Sequence, residues 1–270
     1  MIDEDYNNRF GGIARLYGTA ACEILHRSHV VVIGIGGVGC WAVEALARVG
    51  IGEISLVDMD EVCINNTNRQ LHAMDGEIGR AKIDVMGDRV KAINPNCKLN
   101  LIHNFFMKST AEEILGAQSG KNVDYVLDCI DSVKSKCYLL YYCRRNKIPI
   151  VSCGGAGGRV DPTKIQIKDM ARVRNDPLCA KVRKILRNEY NFPKNPKRRF
   201  RIPTVFSPED VVYPQADGTV CSVKGDNEGG MKLDCNSGYG TASYITGTFA
   251  FLASSHLVQK LISPDPKPNN

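Results

Sequence analysis

The sequence lacks several features that would place it quickly. Its eleven cysteines contain no C-x-x-C pair. Tetrahedral zinc sites usually take two ligands from one tight turn, so no structural zinc is expected. No stretch has the basic, then apolar, then small-residue order of an export signal, so no secretion is expected. Nor is there an unbroken apolar run long enough for a bilayer. The most apolar late segment, 244–262, is interrupted by Thr246, Thr248, Ser254, Ser255, His256, Gln259 and Lys260; it reads as a buried or interface helix, and no membrane partner is expected. An odd cysteine count without an export signal implies a reducing, cytoplasmic setting. Many of the thiols lie in apolar runs, where they act as small hydrophobes.

A strong uniform charge is also absent. The net charge is +6 over 270 residues, but 159–201 alone carries 14 Lys and Arg against 4 Asp and Glu. Within 194–201, KNPKRRFR, five of eight residues are basic: Lys194, Lys197, Arg198, Arg199 and Arg201. A solvated charged face is the common outcome for such a run. Here the asymmetry with the rest of the chain favours a polyanionic partner.

What is present begins with HVVVIGIGGVG, 29–39. The β-branched run reads as a strand buried on both faces. It breaks at Gly34, Gly36, Gly37 and Gly39, which fit G-x-G-x-x-G, and helical spacing follows from Cys40. Backbone without side chains can approach a phosphate there, and a helix N-terminus offers it free N–H groups. EISLVD, 53–58, reads as the next parallel strand. Its terminal Asp58 lies 19 residues after Gly39, where a carboxylate can accept from ribose hydroxyls.

The following loop departs from a dehydrogenase. It carries Asn66, Arg69 and Gln70, and Lys82 comes 13 residues after Arg69. A guanidinium and an ammonium near the glycine turn suit a triphosphate and have no role in hydride transfer. Residues 80–93 read as a helix, 98–102 as a strand, and 109–116 as a helix capped by Ser109. Residues 124–129 are a fourth strand, after which Asp131 stands at a carboxyl strand edge. It is either a Mg²⁺ ligand or a helix N-cap. Residues 148–153 form a fifth strand, and Gly154 to Gly158 closes the domain or lines a substrate pocket. Residues 1–8 read as polar and mobile.

Taken in order, the glycine turn, DMDEV (58–62), NTNRQ (66–70), Lys82, INP (93–95) and DCIDS (128–132) resemble the ubiquitin-activating superfamily, whose bacterial members adenylate sulfur-carrier proteins. The resemblance implies that Asp58 binds the ATP ribose, that Asn66, Arg69 and Lys82 bind its phosphates, and that Asp131 holds Mg²⁺. It also implies a homodimer in which an arginine crosses from the partner; Arg15 in RFGGIARLYG matches that residue best, with Arg9 second. The sulfur-carrier branch often has two C-x-x-C pairs, which this chain lacks.

The second half, with GGAGGRVDP, DPLCAKVRKILR, VYPQADGTVCSVK and LDCNSGYG, instead resembles the branch that dehydrates threonylcarbamoyladenosine in tRNA. That likeness implies ATP activation of the threonyl carboxylate and ring closure, with tRNA as partner through Lys194, Lys197, Arg198, Arg199 and Arg201, and Phe200 stacking on a splayed base. It implies a sulfur-acceptor or cysteine desulfurase-type protein as a further partner. Cys235 is a candidate in substrate handling, with Cys153 beside the glycine run; a buried structural thiol is the alternative for both.

The expected architecture is α/β and Rossmann-like: a mostly parallel twisted sheet with helices on both faces and a C-terminal extension ending in a long helix. Residues 1–158 would form the ATP-binding core, 159–262 a basic substrate-binding and dimerisation extension, and 263–270 a disordered tail. Adenylation of a carrier protein's C-terminal glycine, and NAD-dependent redox chemistry, are the competing functions. The latter leaves Arg69, Lys82 and Asp131 without a role.

Overall fold

The β-branched run after His29 builds the centre of the sheet. His29–Ile33 forms β1, with all five residues buried, and Glu53–Val57 forms β2 in parallel register, pairing Ile33 with Val57. The structure, a computed structural model, describes residues 2–116, 122–215, 217–222 and 239–263. Lys98–Ile102 (β3), Tyr125–Asp128 (β4), Ile150–Cys153 (β5), Gln166–Asp169 (β6) and Pro203–Phe206 (β7) complete a seven-stranded sheet of order β3-β2-β1-β4-β5-β7-β6. Every pairing is parallel except β6 with β7. A short ribbon, Tyr213–Pro214 (β8) with Val220–Cys221 (β9), stands apart from it.

Successive residues of β1 point to opposite layers, so an unbroken apolar run is needed. Val30 and Val32 join the core beneath α3 (Gly39–Arg48), α4 (Lys82–Ile93) and α8 (Ser243–Ile262). Val31 and Ile33 join the core beneath α5 (Ala111–Leu115), α6 (Val133–Arg145) and α7 (Pro177–Glu189). From β1 the chain proceeds outward through β2 and β3, then returns to place β4 on the other flank. That reversal opens a crevice at the carboxyl ends of β1 and β4, where open α/β sheets bind ligands.

Four features differ from the sequence reading. The N-terminal residues are not mobile: α1 (Glu4–Tyr17) is capped by Asp3, and Tyr6 and Phe10 are buried. They fall one helical turn apart and close over Gly50, whose carbonyl accepts from the Tyr6 hydroxyl at 2.7 Å. α5 takes Thr110, not Ser109, as its N-cap; the Thr110 hydroxyl is spent on the preceding turn, donating to Phe105 and accepting from the Met107 N–H. Residues 159–262 contribute β6 and β7 to the same sheet as the first half. Finally, the apolar face of α8 needs no second copy. Ile245, Phe249, Ala250, Ala253 and Leu257 are buried in the chain's own core, against α3 and the central strands. No described helix is long and apolar enough to cross a membrane.

One polar contact lies wholly inside. The Lys136 ammonium of α6 meets Asp128 at the end of β4 at 2.8 Å, both side chains fully buried. The Ser152 hydroxyl donates to the same carboxylate at 2.6 Å. Lys136 also donates to the Ile130 carbonyl, and the Ile130 N–H donates to Asp128. The pair therefore grips Ile130, the residue before Asp131, by both its N–H and its carbonyl. Removing one member of such a pair strands the other charge in the core. Lys136→Met should lower unfolding stability by about 3–5 kcal/mol in denaturant titrations. Adding Asp128→Asn to it should recover part of the loss, because the stranded charge is then gone.

Candidate active site

The turn from β1 to α3 can only be made of glycine at two points. Gly34 adopts φ +88°, and a Cβ there would lie 2.9 Å from the Cys129 carbonyl oxygen. A Cβ on Gly39 would lie 1.8 Å from the Gly34 carbonyl oxygen. Gly36 and Gly37 have a different role. A Cβ on Gly36 would meet only the Gln70 amide at 4.0 Å, so that side of the turn is open. No hydrogen bond among the described residues uses the N–H of Gly36, Gly37 or Val38. The result is a concave run of free backbone donors at a helix N-terminus, the ordinary shape of a phosphate cradle.

Asp58 closes the turn from below. Its carboxylate accepts from the Ile35 N–H at 2.6 Å and from the Asp60 N–H at 2.8 Å. Burial pushes this carboxyl above the usual range, while the two N–H donors and Lys82 pull it down. Each oxygen keeps a further lone pair for a ligand hydroxyl. Lys82, in the first turn of α4, is buried and held by Asp60 at 2.8 Å. The sequence reading named Lys82 but gave Asp60 no role; an acid two residues after Asp58, in DMDEV, was the available signal.

The Asn65–Gln70 loop forms the opposite wall. Asn66 is buried and accepts from the Cys63 N–H, so it shapes the loop. The Arg69 carbonyl accepts from the Trp41 indole of α3 and the Thr246 hydroxyl of α8, both at 3.1 Å. Its side-chain stem passes over Gly37. The guanidinium donates to the Asn65 carbonyl at 2.7 Å and to the Asn68 side chain at 2.9 Å, and has no acidic partner among the described residues. Of two further groups, Gln70 was noted without a role and His72 was missed. Gln70 Oε1 and both His72 ring nitrogens are buried with no partner, and burial beside Lys82 pushes the His72 imidazole down to about 4. Orphaned polar atoms next to free backbone donors and two cations fit a polyphosphate with its metal.

Across the β1–β4 crevice, Asp131 is exposed and carries no ion pair or hydrogen bond among the described residues. The N-cap of α6 is Ser132, so Asp131 is not the cap. The glycine run ends under an aromatic pair. Tyr239 lies against Gly157, with Tyr213 5.4 Å away between ring centres. Thr241 joins this run to the Arg69 loop, donating to the Ala156 carbonyl and accepting from Asn68.

Other expected site residues lie elsewhere. Arg15 is exposed on α1, a helix fixed to the Gly50 turn, and no contact joins it to the glycine turn of its own chain. Lys194, Lys197, Arg198, Arg199 and Arg201 are all exposed. Phe200 cannot stack on a base: it is 1% exposed, packed on Phe192 and under the Arg187 guanidinium. Cys153 is buried below the glycine run; Cys235 and the tail 264–270 lie outside the described residues.

The ThiF family model matches residues 11–270. A tRNA threonylcarbamoyladenosine dehydratase of Escherichia coli is 47% identical over 97% of both chains. The solved structure "TcdA (CsdL)" superposes with a TM-score of 0.89 at 46% identity, covering 97% of each chain. The E. coli dehydratase TcdA in complex with ATP does so with a TM-score of 0.84 at 42% identity, again over 97% of each. A chain with this glycine cradle, carboxylate floor and two cations is thus alike to these dehydratases over nearly its whole length, and the protein belongs to the ThiF family, in its tRNA threonylcarbamoyladenosine dehydratase branch.

Proposed function

We propose that this protein uses ATP to dehydrate threonylcarbamoyladenosine in tRNA, closing a ring on the threonyl side chain. The observation that carries the reading is the full-length likeness to the E. coli dehydratase with the phosphate cradle, Arg69, Lys82 and Asp131 standing together at one crevice. A carboxylate does not acylate, because its oxygen is a poor leaving group. Its attack on the α-phosphorus of ATP forms a P–O bond and expels pyrophosphate. An atom of the same side chain then attacks the activated carbonyl, and AMP leaves with the former carboxylate oxygen. The nucleoside ends one water lighter.

The chain's own groups have distinct parts in this. Free N–H groups at Gly36 to Val38 bind phosphate oxygens, and Asp58 accepts from the ribose. Arg69 and Lys82 offset the negative charge that builds on the transferring phosphate, while Asp60 holds the Lys82 side chain in place. Mg²⁺, held by Asp131, would add Lewis-acid stabilisation of the phosphates. Ring closure is intramolecular, so high effective molarity replaces a protein nucleophile. Desolvation pushes the Cys129 thiol well above its ordinary range, and Cys153 is buried, which supports packing roles for both.

A homodimer completes the site. Arg15 is exposed, remote from its own crevice and without an acidic partner among the described residues, which suits delivery to a second copy. Arg9 is the weaker choice because it already pairs with Asp5 at 2.8 Å. The exposed basic run would contact the tRNA backbone, so binding should weaken steeply with salt. The thiol-rich composition supports a cytoplasmic setting.

Incubating tRNA that bears threonylcarbamoyladenosine with the protein and ATP should yield, by nucleoside mass spectrometry, a product lighter by one water. Arg69→Ala should slow this step by about 10²–10³, the usual cost of losing one charge-stabilising donor. An unchanged nucleoside, with AMP released only on adding a small carrier protein, would instead establish carrier adenylation. Asp131→Asn should raise the Mg²⁺ concentration needed for half-maximal rate by about 10–100-fold. A variant with the wild-type magnesium requirement would remove Asp131 from the metal.

A further inference from the structure

The opposite end of the sheet carries a second feature. The strands β4, β5 and β7 begin beside a cleft of about 700 Å³ lined by Asp124, Lys168, Asp169, Arg199, Arg201 and Lys260, among others. All the nucleotide-facing groups stand at the carboxyl ends of β1, β2 and β4. Four or five strand residues separate the two edges, roughly 13–17 Å through the sheet and farther around it.

The cleft is built. Asp169 accepts from the N–H groups of Ala171, Phe200, Arg201 and Ile202. That grip holds Arg201 at φ +58°, a conformation a side-chain-bearing residue rarely adopts. Phe200, between the two arginines, is locked into the core. Asp124 is likewise turned to backbone, accepting from the His29 N–H at 2.8 Å. Both acids are thus occupied by N–H donors, and the cationic heads dominate the opening. Lys168 is placed over the Phe206 ring at 5.8 Å. The charge does not stop at the cleft, because Lys194, Lys197 and Arg198 continue it over the exposed surface. A continuous track suits a chain of phosphodiesters better than one small anion.

We infer that this amino-edge cleft grips the phosphodiester backbone of the RNA substrate at a point remote from the nucleoside being modified. The inference rests on the tRNA reading above and adds a second, distant foothold. A substrate must then extend well beyond the reacting loop to use it. Positioning contacts of this kind carry no base specificity but set affinity and its salt dependence.

The test uses Arg199→Ala combined with Arg201→Gly; glycine keeps the positive φ at 201 without strain. Arg27→Ala combined with Arg48→Ala, two exposed arginines each paired with a glutamate of its own helix, is the charge-matched control. The dissociation constant for full-length modified tRNA is measured across salt, alongside that for a minimal hairpin carrying the same modified loop. Melting temperatures confirm that all variants fold. The double variant should bind full-length tRNA about tenfold more weakly at low salt, and its log–log salt slope should fall by about 2, one per lost phosphate contact. The hairpin should bind wild type and double variant alike. Wild-type affinity and slope for full-length tRNA in the double variant would overturn the cleft as a contact. Equal losses for tRNA and hairpin would overturn its remoteness. If the wild-type protein itself neither binds nor dehydrates the tRNA, the parent reading fails, a result separable from both.

Discussion

Everything at the crevice depends on the β1–α3 turn being made of bare backbone. Gly39 lets the first turn of α3 pass so close to Gly34 that a single methyl group would occupy the carbonyl's place. Relieving that clash means pushing α3 away from the sheet, and α3 carries Trp41, which holds the Arg69 carbonyl. Asp58 then ties the turn to β2 through the Ile35 N–H. One close contact therefore sets the free N–H groups at Gly36 to Val38, the Asp58 carboxylate and the backbone of Arg69 at once. Preorganisation of this kind is what electrostatic catalysis requires, because donors that must first move into place lose much of their effect.

The other wall is fixed by a costlier device. The Asp128–Lys136 pair is fully buried, and such pairs seldom add net stability over apolar packing. Its hydrogen bonds to both the N–H and the carbonyl of Ile130 explain its presence better than stability does. Asp131 is the next residue. The proposed hold on a hydrated cation would need a rigid base under this exposed acid, and a charge pair out of reach of solvent supplies one.

The strand–turn–helix at 29–49 and the parallel strands after it were legible because their residues are locally consistent: β-branched runs, then glycine, then helical spacing. Asp58, Arg69 and Lys82 stood out as candidates because their charges gather within a short stretch after one glycine turn. Apart from the α5 cap, which turns on the local bonds of Thr110, the misses share one cause, contacts distant in sequence. Tyr6 looks like part of a polar tail until Gly50 is placed above it. The apolar face of α8 looks unpartnered until the fold lays it on α3. Phe200, amid basic residues, looks exposed, yet Asp169 from 31 residues earlier turns its backbone and sends the ring inward. Lys136 sits in a helix as any surface lysine would; only pairing with the end of β4 reveals that it is buried.

Adenylation and RNA recognition make opposite demands on a surface. The first needs a dry, rigid, closely packed crevice where few charges act strongly; the second needs many exposed charges acting weakly over a long path. Placing both at one edge would surround the phosphates of ATP with competing cations and admit water to the activated carbonyl. In the proposed arrangement the sheet separates them. Glycine backbone, Arg69 and Lys82 stand at the carboxyl edge, where Lys82 is 6% exposed and paired. Arg199 and Arg201 stand at the amino edge, presented to solvent by a backbone clamp. Chain segments added after Gly158 build that second edge through β6 and the loop before β7. The nucleotide crevice needs few of them beyond Thr241 and Thr246 to hold its loop in place.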